Sequence, residues 1–140
     1  MVSKNIIKAV GTILLADATI TGYISSRCYA KKPMTSSMTT PLLTMWIDDN
    51  GQHGNLPGGN YTFEVGIWNS IINSTALETI QDLKDRVKTL LHNKVSTINS
   101  QGVDTNVYIF DWVSANLSDE HVGELKLWYM PCIFSCIIGD

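Results

Sequence analysis

The sequence predicts an α+β fold: an antiparallel β-sheet of about four to five strands packed against an N-terminal helix and one long central helix. Three observations carry that expectation. Leu77, Ile80, Leu83, Val87, Leu90 and Leu91 recur at helical spacing and form one apolar stripe. Tyr61, Phe63, Val65 and Ile67 alternate with Thr62 and Glu64, the period of a half-buried strand. Ile6, Val10, Ile13 and Leu14 fall on one face of a helix near the N-terminus.

The first helix is expected over 3–16, with Ser3 as its N-cap and Asp17 breaking it and capping the next short turn. Ser26-Arg27-Cys28-Tyr29 reads as a short strand leaving that turn. After Pro41, the run Leu42-Leu43-Thr44-Met45-Trp46-Ile47 reads as a strand. Residues 48–60 are dense in turn formers and read as a long loop between two antiparallel strands. The central helix is expected over 75–93. Thr75 and Glu78 have the spacing of a capping box, and acidic residues come early and basic ones late, matching the helix dipole. Residues 96–106 read as a polar connection. The strand at 107–113 is apolar on both sides, which suggests a central position. Residues 118–121 read as a polar turn, and 124–137 as a final strand interrupted at Pro131.

The chain has 140 residues, 44% of them hydrophobic, which suits a single domain over 1–140. A net charge of −3 argues against nonspecific nucleic-acid binding, because phosphate contacts need clustered Lys and Arg, and no specific nucleic-acid binding is expected either. The largest basic cluster is Arg27, Lys31 and Lys32. The apolar stretch at 9–16 is far shorter than the ~20 residues that cross a bilayer, so no membrane association is expected. Cys132 and Cys136 share a strand face but lie too far apart along it for a disulfide, so free thiols are expected.

Candidate chemistry is sparse. The Gly-rich loop at 51–60 leads into a strand, whereas phosphate cradles open onto a helix N-terminus. His53, His92 and His121 fall in separate elements. Asp48, Asp49 and His53 could be imagined around a metal, and Cys28 with His92 as a nucleophilic pair. Acidic residues in a turn are usually solvated, and a lone strand cysteine is usually core, so no catalytic residue, metal or cofactor is expected. Asp111 is open to two readings, a buried carboxylate or an exposed strand residue. Trp46, Trp68, Trp112 and Trp128 each sit in an expected strand, out of phase with or flanking the clearest core set. Several of these rings are therefore expected on a second sheet face, covered by the N-terminal helix or by another subunit.

The layout resembles the tail-completion, or tail-terminator, proteins of long-tailed bacteriophages. The resemblance rests on the N-terminal amphipathic helix, Leu14 or Leu15, Asp17 and Ile20, then Arg27 and Tyr29 in the short strand, Pro41 opening the next strand, and a long helix before two closing strands. Cys28, where a β-branched residue is usual, and the long loop at 51–60 depart from that pattern. The resemblance implies a virion subunit, assembled in the bacterial host cytoplasm, that forms a homo-oligomeric ring, commonly a hexamer. Such a ring caps the tail-tube protein and meets the head-side connector, without catalysis or cofactor. Arg27, Lys31, Lys32, Trp46, Asp49, His53, Trp68, Trp112 and Trp128 are the candidate subunit or tube contacts. Two other readings are a head-tail joining (neck) protein and a small enzyme using an Asp, His or Cys cleft.

Overall fold

In a computed structural model the described residues are 2–30, 38–52, 59–101 and 106–139. The elements run α1 (Val2–Leu15), α2 (Ala18–Ile24), β1 (Cys28–Ala30), β2 (Leu42–Gln52), β3 (Gly59–Ser70), α3 (Ala76–Leu91), α4 (Val95–Asn99), β4 (Asn106–Ala115), β5 (Ser118–Val122) and β6 (Leu125–Gly139). The α+β expectation holds. The six-stranded sheet has the order β1-β2-β3-β6-β4, and β5 pairs with β6. All pairs are antiparallel except β1 with β2.

Register assigns the faces, because residues paired across a ladder point the same way. Leu43, Met45 and Ile47 pair with Ile67, Val65 and Phe63, which pair in turn with Met130, Cys132 and Phe134. Those residues share one core cluster with Ile6, Val10 and Leu14 of α1, Ile20 and Ile24 of α2, Ile80, Leu83, Val87 and Leu91 of α3, and Ile98 of α4. All four helices therefore cover one face. Cys132 and Cys136 lie on that face as buried free thiols, as their spacing predicts.

Several sequence expectations change. The first helix begins at Val2, so Ser3 lies inside it rather than capping it. Asp17 does cap α2, its carboxylate accepting from Ile20 N at 3.1 Å. Thr75 precedes α3 but makes no side-chain cap, because its hydroxyl is donated to Asn73 Oδ1 at 3.0 Å. Leu77 is exposed and Ala76 takes its place in the buried stripe. Residues 48–52 continue β2 instead of opening the loop, since Asp48 and Asp49 pair with Thr62 and Tyr61. The polar connection after α3 contains α4, whose Ile98 is fully buried.

The strand read as central, β4, lies at the sheet edge, and β6 takes the central place. The expected turn at 118–121 is β5, a continuation of β4 along the same side of β6. Gly123, at φ +60°, makes the turn into β6. The β3–β6 ladder passes through Pro131 opposite Gly66, whereas the β4/β5 side is broken between Ala115 and Ser118. β4 also carries two register shifts, at 107/109 and 112/114. Such bulges blunt an edge against strand addition.

Candidate assembly surface

The described helices α1 to α4 all contribute to the core on the first sheet face, and among the described residues no helix covers the second. It presents Thr44, Trp46 and Asp48 of β2, Glu64, Gly66 and Trp68 of β3, Tyr129, Ile133 and Ser135 of β6, and Ile109 and Asp111 of β4. Toward the end of β3 and the start of β6 it carries an aromatic stack. Trp68 and Tyr129 face each other across the β3–β6 ladder with ring centroids 4.0 Å apart and planes at 25°. Gly66 makes the stack possible: a Cβ there would lie 2.6 Å from Thr44 Oγ1 and 2.8 Å from the Tyr129 ring. Trp68 Nε1 donates to Thr44 Oγ1 at 3.0 Å, and Tyr129 Oη donates to Glu64 Oε2. Burial, and then the Glu64 carboxylate, pushes the Tyr129 phenol above its ordinary range. The phenol therefore stays a hydrogen-bond donor. These partners fix the rings as a rigid platform.

Farther along the strands the face mixes exposed apolar and acidic residues. Trp46 is 40% exposed, its Nε1 donating to Asp48 Oδ1 at 2.9 Å. Tyr108, 53% exposed, covers Gly139, where a Cβ would lie 2.8 Å from its ring. Ile109 and Val113 are also exposed large hydrophobics. Among the paired strand residues the charged ones on this face are Asp48, Glu64, Asp111 and Glu120.

The candidate contacts separate accordingly. Trp46 and Trp68 lie on the open face. Trp112 and Trp128 do not: both are half-buried against the helix-covered core. Trp112 meets the Phe134 ring edge-on at 5.5 Å, and Lys88 Nζ sits 5.2 Å from its centroid. The expectation that several of these rings lie on a second sheet face thus holds for Trp46 and Trp68, whereas β4 and β6 pair Trp112 with Phe134 on the core face. Asp49 is exposed, its Oδ1 accepting from Gly51 N at 2.9 Å. Arg27 is not directed outward. Its Nε donates to the Pro41 carbonyl at 3.0 Å and its Nη2 to the Tyr23 carbonyl at 3.3 Å, clamping the α2–β1 turn to the start of β2. Lys31, Lys32 and His53 lie outside the described residues.

The candidate enzyme groups are dispersed. Cys28 belongs to β1 at one side of the sheet, while His92 follows α3 and accepts from Trp112 N of β4 at the other. Burial pushes the Cys28, Cys132 and Cys136 thiols up to about 12, far from nucleophilic thiolates at neutral pH. Asp111 is half-buried on the open face of β4, and His121 is exposed on β5. Among the described residues no group of three His, Cys, Asp or Glu side chains could hold a metal ion. No single described helix is long and apolar enough to cross a membrane, and α1 and α2, bent by 92°, pass that test only when taken together.

Sequence reasoning missed the ion pair that sets the helix layer. Arg86 of α3 grips Asp17 with Nη2 2.7 Å from Oδ1 and Nε 3.0 Å from Oδ2. The Arg86 guanidinium, more than any other group, holds the Asp17 carboxyl below its ordinary value of 3.8. Asp82, the largest influence, and burial raise the Tyr23 phenol, which donates to Asp82 Oδ2 at 2.6 Å. These contacts link α2 to α3. The acidic early turns of α3 were legible, but not their partners.

No described protein family matches the chain by sequence, and no curated protein matches it. Its fold is similar to that of a chain in the solved virion of a native gene transfer agent (GTA) particle. The TM-score is 0.71 at 12% identity, covering 96% of this chain and 94% of that one. At that identity the likeness is one of fold.

Proposed function

We propose that this chain is a structural subunit of a phage-like virion, a tail terminator or completion protein. In this reading it forms a ring, commonly a hexamer, that caps the tail tube and meets the head-side connector. The observation that carries the reading is the end-to-end likeness of fold to a chain of a gene transfer agent virion. The second sheet face supports it: it carries the Trp68–Tyr129 stack and, farther along the strands, the exposed Trp46 and Ile109, and aromatic and exposed apolar residues of this kind are enriched at interfaces. Buried high-pKa thiols and scattered histidines give the chain no convergent nucleophile in its described part.

Immunogold electron microscopy of particles from the host that encodes the chain tests the role. Label confined to the head-proximal end of the tail is the expected result. Label along the whole tube or on the capsid shell overturns the terminator role, and unlabelled particles overturn the virion role.

A further inference from the structure

Resting on the ring reading, we propose that the open sheet face of one subunit receives the basic α3–α4 corner of a second copy of this chain. Two patches of opposite sign occur on opposite layers of the molecule. The charged residues among the paired strand positions of the open face are Asp48, Glu64, Asp111 and Glu120, all acidic. The corner holds Lys88 in the last turn of α3 and Lys94 before α4, both exposed. Among the described residues neither lysine has a carboxylate within ion-pair distance; the ion pairs there are Lys84–Asp85 and Arg86–Asp17. The carboxylates at the front of α3 lie in earlier turns, with Asp82 taken by Tyr23 and Asp85 by Lys84.

Among the described residues no ion pair joins the two patches within one molecule. Across two molecules they make a contact between unlike surfaces, which repeats head to tail and closes a ring when the rotation permits. The bulged β4 edge disfavours the rival geometry of strand addition. Complementary charge would set the register of the contact, while Trp46 and Ile109 supply apolar area.

The test is charge reversal with recovery, read by sedimentation velocity on the full chain. Lys88→Glu with Lys94→Glu, or Asp48→Lys with Asp111→Lys, is expected to weaken association by roughly tenfold or more. The chain carrying all four changes is expected to recover assembly, since the patches again have opposite signs. Lys88→Gln with Lys94→Gln is expected to give an intermediate loss, and far-UV circular dichroism verifies the fold of each variant. An unmodified ring that none of these substitutions disturbs overturns the contact and leaves the ring reading standing. Loss in both pairs without recovery in the fourfold variant also overturns it. An unmodified chain that never assembles overturns the ring reading itself, and this contact with it.

Discussion

Arg86 reaches Asp17 across 69 residues of sequence and holds both of its carboxylate oxygens, while the same carboxylate caps α2 through Ile20 N. One side chain thus turns the chain between α1 and α2 and ties that turn to the middle of α3. Asp17→Asn keeps a capping oxygen but loses the charge, whereas Asp17→Ala loses both. Loss of the cap costs about 1 kcal/mol. Thermal unfolding is expected to rank the unmodified chain first, Asn second and Ala last. Equal midpoints for Asn and Ala would remove the cap from the account.

The pair also sets a pH dependence. The folded Asp17 carboxyl titrates below its ordinary 3.8, so its contribution is complete above that value. It fades as the pH falls through the lower folded value. Asp17→Asn is expected to flatten this acid limb in urea titrations between neutral pH and pH about 3. An acid limb as steep in the variant as in the unmodified chain would assign it to other carboxylates.

Gly66 is expected to tolerate no side chain. A Cβ there meets Thr44 Oγ1 and the Tyr129 ring, both inside contact distance. Gly66→Ala is expected to part the Trp68–Tyr129 stack and to cost about 1–3 kcal/mol, as overpacking does. Near-UV circular dichroism reads the stack directly, and an unchanged aromatic signal would contradict its placement.

On α3, the positions diverge. Leu83→Ala is expected to cost about 2–5 kcal/mol, because the side chain is fully buried. Leu77→Ala is expected to stay within about 0.5 kcal/mol, because Leu77 is 46% exposed. Urea midpoints separate the two, and comparable losses would mean that Leu77 packs after all.

Much of the fold was legible because the period of burial survives in the residues themselves. The alternation at 61–67 and the stripe from Ile80 to Leu91 each match a buried face. Strand β4 misled for a physical reason. Val107 and Phe110 are buried on the helix side, while Tyr108, Ile109 and Val113 are apolar but exposed. A strand whose outer face remains apolar reads like a central strand. The Arg27 clamp was not legible, because nothing in the local sequence tells which backbone carbonyls, here those of Pro41 and Tyr23, a turn guanidinium will meet. The surface was half legible: aromatic content announced a second face, but only the ladder register separates Trp46 and Trp68 from Trp112 and Trp128.

The N-terminal helices cover the sheet, with Ile6, Val10, Leu14, Ile20 and Ile24 fully buried. Removing residues 1–24 is expected to expose that face and drive aggregation, measured by light scattering. A soluble truncated chain with an unchanged thermal midpoint would contradict the packing.

Native mass spectrometry of the full chain at micromolar concentration is the sharpest test of the proposed ring. The expected result is one dominant closed assembly of several copies, whose population falls as salt is raised. A strict monomer across that concentration range would contradict it.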